Sequence, residues 1–163
     1  MASQLVLDQL FHDLDHNNLW HTFQSAYCPK HSTETALLRV LNDLLTASDS
    51  GCMSIILILL DLRAAFDTIN HSILLTRLES TFCIHDLVLS FFCSYLQDRT
   101  QVVTVKEIKS CPSLLACGVP KGSVFGPILF ILYTQLLSAV ISHHSVCHHM
   151  LVDDTELYCL MDH

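Results

Sequence analysis

The sequence predicts an α+β fold in which an antiparallel sheet packs on helices. Three observations predict it: apolar residues recur every three or four positions in several segments, one strand is continuously apolar, and two hairpins follow that strand. The chain of 163 residues is of single-domain size, and its 51% hydrophobic residues are sufficient for a core.

Two helices are predicted before the first strand. Within residues 1–22 apolar residues recur at near-helical spacing until the polar run 16–18 breaks the pattern. In the second helix Ser32 and Thr33 can cap the first turn, and Glu34 is favourably placed against the positive end of the helix dipole. This helix is expected to end between residues 47 and 51.

The first strand is the continuous apolar run from Met53 to Leu62, with Asp61 near its C-terminal end. Strands without alternation are typical of sheets covered by helices on both sides. We therefore expect both faces of this strand to be buried.

Two further helices and a hairpin are predicted next. Residues 74–78 and 87–95 carry the apolar spacing of helices. Strands are predicted over residues 101–105 and 114–117, joined by the polar connection 106–113.

A helix and a second hairpin complete the chain. The helix is expected over about residues 128–142, after a glycine-containing loop. The hairpin strands are predicted at 146–152 and 155–160, so that a tight turn presents Asp153 and Asp154.

Acidic residues thus follow two buried strands, as Asp61 and as the pair Asp153 and Asp154. Carboxylates about 4 Å apart repel by about 4 kcal/mol at an effective dielectric constant of about 20. Such a group requires a cation, protonation or wide separation. Because Mg²⁺ takes oxygen ligands, commonly one or two carboxylates with substrate phosphates, the pattern indicates a divalent metal site and phosphoryl transfer.

The charge balance limits how this chain binds nucleic acid. Eight basic and sixteen acidic residues give a net charge of −8. Proteins that bind nucleic acid tightly usually carry a basic face. The chain alone is therefore expected to bind nucleic acid weakly.

The sequence also bears on location. Residues 1–8 lack a basic region and turn acidic before a hydrophobic segment is complete, so no secretory signal is expected. The apolar run 127–141 is interrupted by Thr134, Gln135 and Ser138, and we expect no membrane span and no membrane partner. An intracellular protein, nuclear or cytoplasmic, is predicted.

Cysteine and histidine residues leave one alternative open. The eight cysteines are scattered without a Cys-x-x-Cys pair, which predicts free, mostly buried thiols. Residues 143–149 include four histidines and one cysteine. This run is either a polar loop and strand or a source of zinc ligands, although a closed zinc site needs four ligands in a tetrahedral array.

Five sequence blocks carry a resemblance to a known family. They are Gln24-Ser25-Ala26-Tyr27, His31-Ser32-Thr33-Glu34-Thr35-Ala36-Leu37, Leu60-Asp61-Leu62-Arg63-Ala64-Ala65-Phe66-Asp67-Thr68, Gly118-Val119-Pro120-Lys121-Gly122-Ser123-Val124-Phe125-Gly126-Pro127-Ile128-Leu129-Phe130 and Val152-Asp153-Asp154-Thr155-Glu156-Leu157-Tyr158. In order and spacing these blocks resemble the reverse transcriptase of non-LTR, LINE-type retrotransposons. The resemblance covers almost the whole chain.

The resemblance implies part of the fingers and palm of a right-hand polymerase. Residues 1–51 would be fingers-side helices and residues 52–163 the palm, with the thumb and any endonuclease domain outside this sequence. The implied activity is RNA-directed DNA polymerisation, with an RNA template, a DNA primer and dNTPs as partners.

The resemblance also implies the site residues. Asp61, Asp153 and Asp154 would be catalytic and would hold two Mg²⁺ or Mn²⁺ ions, with the backbone carbonyl of Leu62 as a further ligand. Two such ions activate a primer hydroxyl and neutralise the leaving pyrophosphate.

A second group of residues would bind the nucleotide. Phe66 resembles a steric gate against a ribose 2′-hydroxyl, although a core aromatic is the alternative, and Asp67 is expected to be a cap or turn residue. The remaining nucleotide-binding residues implied by the resemblance are Gly118, Pro120, Lys121, Gly122 and Ser123.

Departures from the family pattern support a second hypothesis. Cys28 stands where relatives usually have an arginine, Lys121 replaces a glutamine, and Leu151-Val152 replaces Tyr-Ala. With the acidic charge and the expected absence of later palm strands, these departures make unaided activity doubtful. The chain would then be a non-catalytic retrotransposon-derived remnant that acts as a fold or interaction module. In either case an open sheet edge is expected to cause aggregation or to require a partner.

Overall fold

The computed structural model describes residues 2–20, 22–27, 31–49, 54–120, 122–144 and 146–161. The chain divides into a first unit, Met1–Arg63 with Thr134–His163, and a second unit, Ala64–Tyr133. The helices are α1 (Ala2–His16), α2 (Thr33–Asp49), α3 (His71–Ser80), α4 (Asp86–Leu96) and α5 (Gly126–His143). The strands are β1 (Ser54–Asp61), β2 (Thr100–Gln101), β3 (Thr104–Val105), β4 (Ile108–Lys109), β5 (Ser113–Leu114), β6 (Cys147–Leu151) and β7 (Asp154–Met161).

The sheet of the first unit is antiparallel, with the strand order β1-β7-β6. Strand β7 pairs with β1 along its whole length, from Ser54 opposite Met161 to Asp61 opposite Asp154. It pairs with β6 on its other side, where Leu151 lies opposite Asp154. The predicted second hairpin is therefore confirmed.

Helices cover this sheet on both faces at β6 and β7. On one face the Tyr158 hydroxyl donates to the Asp43 carboxylate of α2 at 2.5 Å. On the other face the buried Ser138 hydroxyl of α5 hydrogen-bonds the ring Nε2 of His148. Since helices lie on both sides, residues 148–150 of β6 are all buried.

The prediction that β1 is buried on both faces is wrong. Its residues Ile56 to Leu60 expose between 44% and 70% of their surface. The helices that cover the sheet, α2 and α5, contact β7 and β6, whereas β1 lies at the opposite end of the strand order from β6. A continuous apolar run predicts a strand, but it does not establish what covers that strand.

The predicted ends of the first two helices are confirmed. Helix α1 ends at His16, and Asn18 follows with a positive φ of 50°. Helix α2 begins at Thr33, and the Ser32 hydroxyl accepts a hydrogen bond from the Thr35 backbone amide at 3.2 Å. The Ser32 side chain thus satisfies one of the free amides at the helix start.

The second unit is built around α3, α4 and the start of α5. The Asn70 side chain accepts from the Ile73 amide at 3.1 Å and caps α3. The fully buried Phe92 of α4 packs edge-on against Phe125, with ring centroids 5.7 Å apart. Both predicted helices of this region are confirmed.

The first hairpin differs from its prediction in the bounds of its strands. Strand β2 pairs with β5. Between these two strands in the chain, β3 pairs with β4 across a turn at Lys106 and Glu107. The predicted polar connection 106–113 therefore contains the strand β4 and the first residue of β5. Every residue from 100 to 114 is exposed, so no buried face fixes the register from the sequence.

Among the described residues one helix, α5, is long and apolar enough to cross a membrane by length and composition, and half of it is buried within the protein. Its residues Ile128 to Leu132 are buried. This burial is what a core helix requires.

The described cysteines are free, as predicted, but none of these six is buried, so that part of the prediction is wrong. Cys28 and Cys52 lie outside the described residues. The zinc alternative gains no support, because His148 and His149 are neighbours on a strand and face opposite sides of the sheet. His149 instead lies 2.9 Å from the buried Ser25 hydroxyl.

Candidate active site

The structure brings four of the predicted site residues to one end of the first unit's sheet. Asp61 and Asp154 are direct partners in the β1–β7 register. Such partners have Cα atoms about 5 Å apart and side chains on the same face. The Leu62 amide donates to the Asp153 carbonyl at 3.2 Å, so Leu62 and Asp153 continue the same pairing beyond the strand ends.

A two-residue turn, Val152 and Asp153, carries the second acidic motif between β6 and β7. Val152 has a φ of +59°. A β-branched side chain is disfavoured in this left-handed region, where a residue costs about 1–3 kcal/mol and persists only because surrounding contacts hold it. The turn that presents Asp153 is therefore strained and depends on its neighbours.

Glu156 is a third carboxylate on this face that was not predicted as a site residue. It lies two residues beyond Asp154 on β7, so both side chains point to the same side of the sheet. Burial, and then the charge of Asp154, raise the pKa of the Glu156 carboxyl above its usual value. The available sequence signal was the spacing of two residues between Asp154, at the predicted turn, and Glu156, in the predicted strand that follows it.

The carboxylate end of the sheet fits divalent metal ions in its donor chemistry. Among the described residues, no three His, Cys, Asp or Glu side chains form a group arranged to hold an ion. The three predicted ligands Asp61, Asp153 and Asp154 therefore do not form such a group as they stand. A pair such as Asp61 and Asp154 still has the donors that Mg²⁺ takes, since this ion commonly binds one or two carboxylates together with substrate phosphates. Two exposed carboxylates directly opposite each other, as Asp61 and Asp154 are, are destabilising without a cation.

The glycine loop belongs to the second unit and is bonded to the segment that follows the first acidic motif. The Gly118 amide donates to the Ile69 carbonyl at 2.7 Å, and the Val119 amide donates to the Phe66 carbonyl at 2.8 Å. Gly118 has a φ of +90°, and a Cβ there would lie 3.1 Å from the Asp67 carbonyl oxygen. Glycine is thus required at position 118 by the close approach of two backbone segments.

Other loop residues have local structural roles. The Ser123 hydroxyl accepts from the Gly126 amide at 2.9 Å and so satisfies the start of α5. The Pro120 carbonyl accepts from the Ser123 amide at 3.1 Å. Gly122 has a φ of +74°, and no described atom lies within 4 Å of the place a Cβ would occupy, so its side is open. Lys121 lies outside the described residues, as does Cys28.

Phe66 is half-buried and packs against the buried Phe130, with ring centroids 5.2 Å apart. Its ring therefore has one side in the core of the second unit and retains an exposed part. Asp67 lies in a turn, where its amide donates to the Ala64 carbonyl at 2.8 Å, in agreement with the turn prediction.

Comparison with known proteins identifies the family. Residues 2–162 match the family model described as reverse transcriptase (RNA-dependent DNA polymerase). In Drosophila melanogaster, the probable RNA-directed DNA polymerase from transposon BS is 27% identical over 143 residues, 86% of this chain and 15% of that protein. The RNA-directed DNA polymerase from mobile element jockey is 33% identical over 137 residues, 83% of this chain and 14% of that protein. The chain therefore spans about one seventh of the length of these relatives.

A solved structure supports the fold. The apo telomerase from Candida tropicalis truncated from its C-terminal domain superposes with a TM-score of 0.65 at 19% identity, over 96% of this chain and 33% of that one. The predicted α+β class, with an antiparallel palm sheet of the right-hand polymerase type, is confirmed. The chain belongs to the reverse transcriptase (RNA-dependent DNA polymerase) family, as a reverse transcriptase domain of the LINE type.

Proposed function

We propose that this chain is part of an RNA-directed DNA polymerase and carries its nucleotidyl-transfer site. The observation that carries the proposal is the register that sets Asp61 directly opposite Asp154 at the sheet end, with Asp153 in the adjoining turn. Family membership supplies the reaction class, and the paired carboxylates supply the donor chemistry that this reaction needs.

The carboxylates of Asp61, Asp153 and Asp154, with the Leu62 carbonyl, would hold two Mg²⁺ or Mn²⁺ ions. When bound, these ions would supply an activated primer hydroxyl and neutralisation of the leaving pyrophosphate. The protein's own contribution is to orient the ligands. The hydrogen bond from the Leu62 amide to the Asp153 carbonyl ties the turn to the end of β1 and so limits how far the ligands can separate.

The second unit would supply nucleotide selection. The exposed part of Phe66 would exclude a ribose 2′-hydroxyl and so favour dNTPs. The contact of the Phe66 ring with Phe130 would hold it in place. The loop residues Gly118, Pro120, Lys121, Gly122 and Ser123 would contact the nucleotide, with the open side of Gly122 as the surface available for close approach. An RNA template and a DNA primer are the proposed partners. The fingers-side and palm division at residues 51 and 52 stays a prediction.

Primer extension on an RNA template tests the proposal. The native chain, Asp153→Asn and Asp98→Asn would be compared with Mg²⁺ and with Mn²⁺. Asp98 is an exposed turn residue outside the proposed site, and asparagine tolerates its positive φ of 53°. Weak extension by the native chain and by Asp98→Asn, with loss of that extension in Asp153→Asn, is the expected result. Equal incorporation by all three proteins would refute a carboxylate-dependent site.

The exposed β1 supports a second candidate, a non-catalytic fold or interaction module. Its apolar residues Ile56 to Leu60 are exposed at a sheet edge, and the chain has a net charge of −8. An open edge favours association with a partner that completes the sheet, and the acidic charge opposes nucleic-acid binding. This candidate predicts self-association without extension activity. A monodisperse chain that extends primers in an Asp153-dependent manner would exclude it.

A further inference from the structure

The segment Phe23 to Ala26 lies along the outer edge of β6. The Met150 amide donates to the Phe23 carbonyl at 2.7 Å, and the Ser25 amide donates to the Met150 carbonyl at 3.0 Å. Gln24 lies between these two bonds and forms a parallel bridge with Met150. Gln24 is therefore held opposite Met150, which precedes the Val152–Asp153 turn by two residues.

The Gln24 side chain is buried, with 3% of its surface exposed, and its amide oxygen points to backbone donors. That oxygen accepts from the Ala26 amide at 2.9 Å and from the Val152 amide at 3.4 Å. Val152 is the turn residue that adopts a φ of +59°. One buried side chain thus connects its own segment to the strained residue beside Asp153.

We propose that Gln24 is a positioning residue for the acidic turn. By holding the Val152 amide, it keeps the turn in the conformation that sets Asp153 and Asp154 beside Asp61. Gln24 acts through the backbone of the turn, so it is not a catalytic residue. The inference rests on the proposed function only in assigning metal binding to the carboxylates of the turn.

Glutamine suits this position because its oxygen is a neutral acceptor. An aspartate or glutamate here would add a buried negative charge close to Asp153 and Asp154, which is costly without a paired cation. A methionine has a similar size but lacks the carbonyl oxygen, and an asparagine is one methylene shorter. These two replacements therefore remove the contact with Val152 in different ways.

The experiment compares the native chain with Gln24→Met, Gln24→Asn and the control Gln135→Met. Gln135 donates from its side chain to the Leu19 carbonyl at 3.0 Å, in the same unit but at α5. Amide hydrogen exchange at Val152 and Met150 is measured by NMR. Mn²⁺ affinity is measured by the loss of the free-ion EPR signal.

We expect faster exchange at Val152 in both Gln24 variants, with Met150 still protected by its backbone bond to Phe23. Mn²⁺ affinity should fall by about tenfold to a hundredfold, as for other residues that orient metal ligands. Gln135→Met should change neither measurement. If Gln24→Met does not fold, the shorter Gln24→Asn decides.

Unchanged exchange at Val152 in the Gln24 variants would overturn the inference, as would an equal loss of Mn²⁺ affinity in Gln135→Met. A native chain that binds no Mn²⁺ would count against the proposed function instead. In that case exchange at Val152 alone decides whether Gln24 positions the turn.

Discussion

Protonation of the buried His149 should make the first unit unstable in mild acid. This side chain is 2% exposed, and burial lowers the pKa of its ring from 6.5 to about 4, with the charge of Arg39 as the next cause. The nearby His31 and His148 act in the same direction, and Asp43 opposes them. The folded state therefore holds His149 neutral where the unfolded chain would protonate it.

The sign and size of the effect follow from this difference. Between about pH 6.5 and about pH 4 the unfolded state binds more protons, so stability is full above this range and is lost as the pH falls through it. Each pKa unit corresponds to about 1.4 kcal/mol. The limiting loss is about 3 kcal/mol, and at about pH 5 the loss from His149 is about 2 kcal/mol.

Urea denaturation at about pH 7.5 and about pH 5 measures this loss. His149→Gln keeps a hydrogen-bonding group for Ser25 but cannot titrate, and His16→Gln at the exposed end of α1 is the control. The difference in unfolding free energy between the two pH values should shrink by about 2 kcal/mol in His149→Gln only. The same pH dependence in the native chain and His149→Gln would refute the reasoning.

Three further predictions concern the carboxylates, the glycine loop and β1. Asp154→Asn should stabilise the metal-free chain by up to about 1 kcal/mol, because it removes the negative charge opposite Asp61. It should also abolish the rise in melting temperature that Mn²⁺ causes in the native chain, and an undiminished rise would contradict this. Gly118→Ala should lower the free energy of unfolding, measured by chemical denaturation, by about 3 kcal/mol, because the added Cβ would lie close to the Asp67 backbone. Gly122→Ala should lower it by only about 1 kcal/mol, because only the backbone conformation disfavours alanine there. Equal losses in the two variants would contradict the packing argument. Leu59→Lys, at a position 70% exposed, should change stability by less than about 0.5 kcal/mol and reduce self-association in light scattering; a loss of several kcal/mol would mean that this face is covered.

The sequence by itself determined the elements whose signals are local. Three features were predictable because each depends on residues a few positions away in the sequence. They are the cap at Ser32, the break after His16 and the turn at Asp153. The family could also be predicted from the sequence, because five sequence blocks match it in order and spacing. The position of the acidic turn at the end of a hairpin followed from the same patterns.

Only the tertiary structure decided what covers each element and which distant residues meet. The exposure of β1 depends on which strands the helices α2 and α5 contact, and the closeness of Asp61 and Asp154 depends on strand register. The contacts of Gly118 with Asp67 and of Gln24 with Val152 join segments far apart in the chain. Periodicity within a short window shows which face of an element is apolar. Burial and strand pairing depend on the free energy of contacts with elements far along the chain, and no local pattern contains that information.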